Sequence, residues 1–438
     1  MKSTWLLILL FPLPLLSQGL FDEAVGSGTD KSDQNHAFKF ELNGFIRGAF
    51  WAGEIPDSDQ LEMKSGYGET SLKLRVRKDT FGDAFTEIRF RHGTELNSQI
   101  SEVALRECYV NIYTGHFDFR IGHQIIVWGR ADGYNPTNNL TPQNMLVRSA
   151  DEDDRREGNF LLRGNVSYYP IRLEGILVPA YSSSILPLDL FPLLEGVKLS
   201  GQEMPGTNLN RVGFALKLNL ELAAFDGSIS WFHGYNPMPG VTGMIDGTEI
   251  MVRTKPYRAT VIGADFSTTI GSIGLRGEFA WRDPEGNYEA EAHIPNPDLQ
   301  YILGIDKQYG DFSIILQYIG RSVIDFTTLT LSPLPDDDMI DLLFEKNRMI
   351  ASQMDECSHT ISVRPALTLM HEILTLEVMS MFNLTTKERM IRPKISYAMA
   401  DALTLTAGGE FYTGPENTLY GTIDEALSAI FIELKTSF

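Results

Sequence analysis

Seven cations in the first third of the chain could act together: Lys73, Arg75 and Arg77 alternate along one segment, Arg89 and Arg91 along the next, and Arg106 and Arg120 follow. Glu87, Glu107 and Asp118 are interspersed among them. Guanidinium groups attract anions by charge and give carboxylate or phosphate planar, bidentate contacts. The same residues have a plainer reading as cross-strand ion pairs that stabilise a sheet. The residues alone leave both open.

A second stretch has a different texture. Arg120-Ile121-Gly122-His123-Gln124 is followed by Trp128-Gly129-Arg130-Ala131-Asp132 and Asn135-Pro136, and there the polar/apolar alternation breaks. A long connection begins here and runs through Asp151 to Glu157. If it folds into a channel, Trp128, Arg130, Asp132 and Asn135 are its constriction candidates. Acid gathers at Glu54 to Glu62, Asp151 to Asp154 and Asp336 to Asp338. Oxygen-rich clusters of this kind suit divalent cations, but no calcium-loop spacing is present, so solvated loops are expected and no metal or cofactor site. Catalysis on a barrel would need a nucleophile and a base held by a third group. No G-x-S-x-G elbow and no Ser/His/Asp set stands out among the eight histidines. His123 and His371, near turns or loops, read as structural. Cys108 and Cys357 lie far apart, outside any metal or redox spacing, and the sequence leaves open whether they pair. A formal net charge of -20 argues against nucleic acid as a partner.

The elements that must position these residues repeat with period two. Leu72, Leu74 and Val76 oppose Lys73, Arg75 and Arg77; Ile273, Leu275, Phe279 and Trp281 oppose Arg276, Glu278 and Arg282; Ile430, Ile432, Leu434 and Phe438 oppose Glu433, Lys435 and Ser437. A soluble sandwich would alternate in the same way, so the connections decide. Tight turns are expected at Thr114-Gly115, Tyr169-Pro170, Thr269-Ile270-Gly271, Tyr309-Gly310, Met370-His371 and Ala400-Asp401. Between them lie longer, polar connections: Ala52 to Gly66, Ile125 to Asn159, Ser182 to Asn210, Asn236 to Pro256, Asp283 to Pro297, Val323 to Ser358 and Thr413 to Ala426. One of these holds the apolar run Ile185 to Leu199, expected to pack against the barrel rim. Short turns alternating with long loops, over about 18 strands (a range of roughly 16 to 18), is the pattern of a single closed antiparallel transmembrane β-barrel, with the turns periplasmic and the loops extracellular. An all-β chain of this kind needs no domain boundary.

The ends agree. Lys2, the apolar run Trp5 to Leu16 and Ser17-Gln18-Gly19 read as a secretory signal at 1–19. Residues 20–37 then form a periplasmic N-terminal segment and 38–438 the barrel. No other stretch could cross a bilayer as a helix, so a membrane protein here must be a closed barrel. Phe438 with Leu434, Ile432 and Ile430 resembles the terminal signature that barrel-assembly machinery reads in outer-membrane proteins. The run G-x-Q, W-G and N-P formed by Gly122, Gln124, Trp128, Gly129, Asn135 and Pro136 resembles single-chain porins of the alginate-export type and related barrel families. That resemblance implies that 125–159 folds into the lumen; the alternative is a surface loop with a buried tryptophan. The expectation is a bacterial outer-membrane porin for passive diffusion of small hydrophilic solutes, with a lean towards anions. Its partners would be outer-membrane lipid, lipopolysaccharide, the assembly machinery and the solute. A barrel-borne adhesin or assembly scaffold is the alternative, and an outer-membrane enzyme a more distant one.

Overall fold

A chain that alternates apolar and polar residues can bury either face, and exposure tells which face meets water. The computed structural model describes residues 38–438 apart from 56–57, 79, 96–97, 189–196, 207, 247–248 and 329–337. The expected signal peptide at 1–19, the segment 20–37, the middle of Ile185 to Leu199 and the acids Asp336 and Asp337 lie outside the described residues.

The strands run in chain order as β1 (Phe38–Ile55), β2 (Ser58–Lys78), β3 (Gly82–Glu95), β4 (Ser98–Thr114), β5 (Phe117–Gln124), β6 (Asn159–Tyr168) and β7 (Ile171–Val178). There follow β8 (Val197–Gln202), β9 (Gly213–Glu221), β10 (Phe225–Tyr235), β11 (Gly240–Asp246), β12 (Glu249–Lys255), β13 (Arg258–Ile270) and β14 (Ile273–Pro284). The last are β15 (Asp298–Tyr309), β16 (Phe312–Val323), β17 (Cys357–Leu369), β18 (Leu374–Asn383), β19 (Arg389–Ala400), β20 (Leu403–Thr413) and β21 (Ala429–Ser437). All but β8, β11 and β12 form one 18-stranded sheet. Each strand pairs antiparallel with its neighbour in sequence, and β1 pairs with β21 from Phe45↔Ser437 to Ala52↔Ile430. Beyond that register the Gly44 N–H donates to the Phe438 carbonyl and the Phe438 N–H to the Gly44 carbonyl, both at 3.0 Å. The sheet is therefore a closed barrel, which leaves no long open edge at the seam.

The barrel is apolar outside and polar inside. On β9, Leu216 and Leu218 are 48% and 47% exposed while Lys217 and Asn219 are 7% and 2% exposed. A soluble sandwich would show the reverse, so the outward leucines need a hydrocarbon environment. Tyr168, Tyr169, Phe225, Tyr309 and Phe312 stand exposed by the short turns, and Phe160, Phe214 and Phe411 near the loop ends, as two interfacial aromatic girdles. Among the described residues no helix is long and apolar enough to cross a membrane.

The six expected tight turns all fall between strands on one rim. Ala52 to Gly66, expected as a polar loop, instead continues as paired strand, since β1 runs to Ile55 and β2 starts at Ser58. Trp51 and Ser65, both buried there, explain the extension: these positions still pack inward. The other long connections lie where expected, and among the described residues four of them carry strands or α-helices of their own. β8, β11 and β12 form a small sheet in which β8 and β12 are parallel. The helix Asp338–Ala351 is joined to β11 by Asn347, whose amide both accepts from the Val241 N–H and donates to the Val241 carbonyl at 2.7 Å. A second helix, Leu419–Leu427, is N-capped by Thr418 and packs Ile423 and Leu427 on Tyr412.

Candidate pore constriction

The 125–158 connection leaves β5 through two glycines that no other residue replaces easily. Gly122 has φ +138°, and a Cβ there would run into the Cys108 carbonyl. Gly129 has φ +104°, and its missing Cβ makes room for the Glu278 carboxylate. Between them the Gln124 amide donates to the Leu161 carbonyl at 3.0 Å and the Trp128 indole N–H to Glu174 at 3.0 Å. Ile126, Trp128 and Leu140 then pack on Leu161, Ile176, Ala215, Phe232, Val261 and Ala280, which are lumen-side residues of β6, β7, β9, β10, β13 and β14. The connection thus folds inside the barrel and buries an apolar patch against one wall.

Charged knots hold its remainder. Glu278 accepts from the backbone N–H groups of Arg130 (2.5 Å) and Ala131 (2.6 Å) and from the Thr137 hydroxyl (3.0 Å). Arg130 reaches Asp265 at 2.6 Å, Asp132 pairs with Arg364 at 3.0 Å, and the Tyr134 hydroxyl donates to Gln300 at 2.7 Å. On the far side Asp154 accepts from Arg47 (2.5 Å), Arg89 (2.8 Å) and Ser149 (2.6 Å), and Glu69 bridges Arg47, Arg89 and Arg91 from behind. The Arg148 carbonyl accepts from Tyr67 and Arg91, its guanidinium meets Glu410, and Glu152 meets Arg392. These buried charges have well-placed opposite partners, the condition under which a buried ion pair is tolerated. Asp151 to Asp154 is therefore a turn of helix inside the lumen and not the solvated loop expected, because the wall cations require acids opposite them.

The seven expected cations divide. Arg89, Arg91 and Arg106 hold the inner connection; Arg106 is the extra residue of a β-bulge opposite Glu87 and Ile88 and donates to the Asp153 and Asp154 carbonyls. Lys73 and Arg75 lie nearer the short-turn rim, 3.7 Å from Glu87 and 3.8 Å from Asp83, and Arg77 is exposed beyond them. Arg120 donates to Asn111 and stacks over Tyr109. Cys108 and Cys357 are both free. Sequence reasoning missed Arg47, Arg148, Arg364, Arg392, Lys394 and Glu410, and placed Glu278 and Lys435 on polar strand faces without a role. Their signal was available only in part: Arg392 and Lys394, for instance, occupy the polar face of an alternating strand.

Beside the inner connection runs a cavity of about 930 Å³, from Tyr412 and Tyr420 at the loop end to Ser396, Thr404 and Ser437 at the short-turn end. Its walls are electrically asymmetric. Arg364, Arg392, Lys394 and Lys435 outnumber Glu410 and Glu433 on the barrel strands, while Asp132, Asp151, Glu152 and Asp153 outnumber Arg155 and Arg156 on the inner connection. A vestibule of about 460 Å³ under the loops shares Gly133, Tyr134, Asn135, Gln143, Met145, Arg156 and Tyr420 with that cavity, which makes these residues the throat between the two.

No family model matches the sequence, and no curated protein matches it. Solved structures do match. Pseudomonas aeruginosa OccK10 is 11% identical over 91% of this chain and 98% of its own, with a TM-score of 0.53. Acinetobacter baumannii OccAB3 is 9% identical over 91% and 99%, with 0.55, and a BenF-like porin from Pseudomonas fluorescens Pf-5 is 9% identical over 91% and 98%, with 0.54. The fold is that of a porin barrel. At such identity the likeness extends to architecture, and what passes through this lumen has to be argued from its own residues.

Proposed function

We propose that this chain is a channel of the bacterial outer membrane for passive diffusion of small hydrophilic solutes, leaning towards anions, with its long loops extracellular and its short turns periplasmic. The observation that carries the reading is the void running beside the inner connection, from the vestibule to the short-turn rim, within a barrel whose outside is apolar. The anion lean rests on depth. Glu410, Glu433, Glu87 and Asp83 are nearly buried in the wall, whereas the side chains of Lys73 and Arg75 remain 38% and 36% exposed. Lys435 on β21 and Lys73, Arg75 and Arg77 on β2, with β1 between them, present cationic tips ahead of those buried acids, and Glu41 on β1, exposed opposite Arg75, removes part of that field. The exposed acids Asp151 and Asp153 on the inner connection oppose this and keep selectivity moderate. The alginate-export resemblance supports the inward loop and brings no substrate with it. Lipopolysaccharide and the assembly machinery are the partners such a location supplies. Liposomes carrying the purified barrel should swell in isosmotic arabinose, and faster in salts of monovalent organic anions than in those of matched cations. Failure to swell in any of them contradicts the channel, and equal rates contradict the lean.

A further inference from the structure

Lumen walls in contact with water are ordinarily polar, and β18 and β19 depart from that beside the main cavity. Met381 and Met390 face each other in the register, and Met390 in turn faces Tyr412 on β20. Tyr420 continues the row, its ring 5.2 Å from that of Tyr412 in an edge-on arrangement. Met390 and Tyr412 also seat the helix Leu419–Leu427, but Met381 lines the main cavity and a smaller side chamber of about 190 Å³ as well. Tyr134 completes the band from the opposite side, its ring held by hydrogen bonds to Gln300 and from Arg321. Below the band β19 turns charged, while β18 carries one more methionine, Met379, opposite Arg392. Arg392 and Lys394 lie two and four residues along β19 from Met390, about 7 Å and 13 Å at the rise of an extended strand.

We propose that this thioether and aromatic row is a transit binding site for the apolar part of small charged solutes, aryl or branched alkyl, whichever sign of charge they bear. The inference rests on the lumen being an open channel and adds to that reading a selection by apolar surface. Methionine adapts its flexible, polarizable side chain to varied apolar shapes and makes favourable sulfur–aromatic contacts. Only a solute in the lumen can reach the row, so the occupant is the permeant itself.

The test is block of potassium chloride current through the reconstituted full barrel by ions of matched charge: phenylacetate against acetate, and phenethylammonium against ethylammonium. Both aryl ions should half-block at concentrations roughly tenfold lower than their alkyl counterparts. M381S/M390S should raise the aryl values about three- to tenfold. Hydrogen peroxide applied to the assembled wild type gives a readout free of folding effects. Each thioether takes one oxygen atom from peroxide, becoming a polar sulfoxide and releasing water, and block should weaken to the level of the serine variant. M379L/M381L/M390L, which removes the strand-borne methionines lining the main cavity and keeps them apolar, should keep the block and resist peroxide. Equal block by aryl and alkyl ions, or peroxide sensitivity retained in the leucine variant, overturns the assignment. Absence of any current overturns the channel reading itself, and this one falls with it.

Discussion

Arg75 and Arg89 share the polar side of one hairpin, yet their neighbours separate them. Arg89 is held by Asp154, Glu87 and Glu69, whereas Arg75 has Asp83 at 3.8 Å, lies over the Phe85 ring and remains partly in water. Charge reversal at the two positions should therefore do different things. K73E/R75E/R77E should move the zero-current potential in a salt gradient towards cations, with a larger shift at low salt, because screening over roughly 8 Å at physiological ionic strength weakens the wall's field. An unchanged potential at low salt would remove these residues from the selectivity path. R89E should instead loosen the inner connection and raise current noise. The period-two pattern places all these cations on one side of a sheet, but it says nothing of which acid each would meet. Glu278 shows the limit: its backbone donors at Arg130 and Ala131 lie 148 and 147 residues away in sequence.

Inner and outer elements differ in how far sequence reveals them. The tight turns were legible because a turn must break the alternation on both sides within a few residues. The upper parts of β1 and β2 were not, since their polar residues resemble a loop and the buried positions Trp51 and Ser65 are sparse among them. The inner connection was visible as a break in alternation, while its path depends on long-range pairs such as Asp154 with Arg47. Asp154→Asn removes one of the carboxylates shared by Arg47 and Arg89, which keep Glu69 and, for Arg89, Glu87, and should cost about 1–3 kcal/mol of barrel stability. The loss should appear as a lower temperature for the heat-induced gel shift; an unaltered shift would mean that the knot is dispensable. Burial would push the Asp154 carboxyl up, but Arg47 and Arg89 outweigh it and hold it well below the usual carboxylate range. A carboxyl lowered on folding contributes stability above its unfolded pKa and loses it only as pH falls through the folded value. The stability difference between wild type and Asp154→Asn should thus stay constant from pH 7 to about pH 5, where the unfolded carboxyl begins to take up its proton. At the seam, Phe438 pairs with Gly44 and its ring lies over that glycine, so Phe438→Asp should lower outer-membrane yield far more than a change at lumen-facing Ser437. Equal yields would remove Phe438 as an assembly signal.

Taken as a whole, the molecule is a sheet turned inside out, and that inversion follows from alternation only after the barrel has closed. Connection lengths predicted closure and sidedness, since tight turns on one rim and long connections on the other suit a chain inserted with its loops outward. In a background with both native cysteines replaced by serine, cysteine at Glu289 should label on intact cells with an impermeant reagent, and cysteine at Asp311, beside the Gly310 turn, should not. The opposite pattern would invert the orientation. The most direct test of the whole account is single-channel current through the purified barrel in a planar bilayer with a potassium chloride gradient. The account predicts discrete, reproducible conductance steps with a zero-current potential on the anion side, and larger, noisier steps once Asp154 and Glu278 are both replaced by alanine to release the inner connection. A silent barrel that conducts only after that release would contradict it, because the cavity beside the connection would then not be a path for solutes.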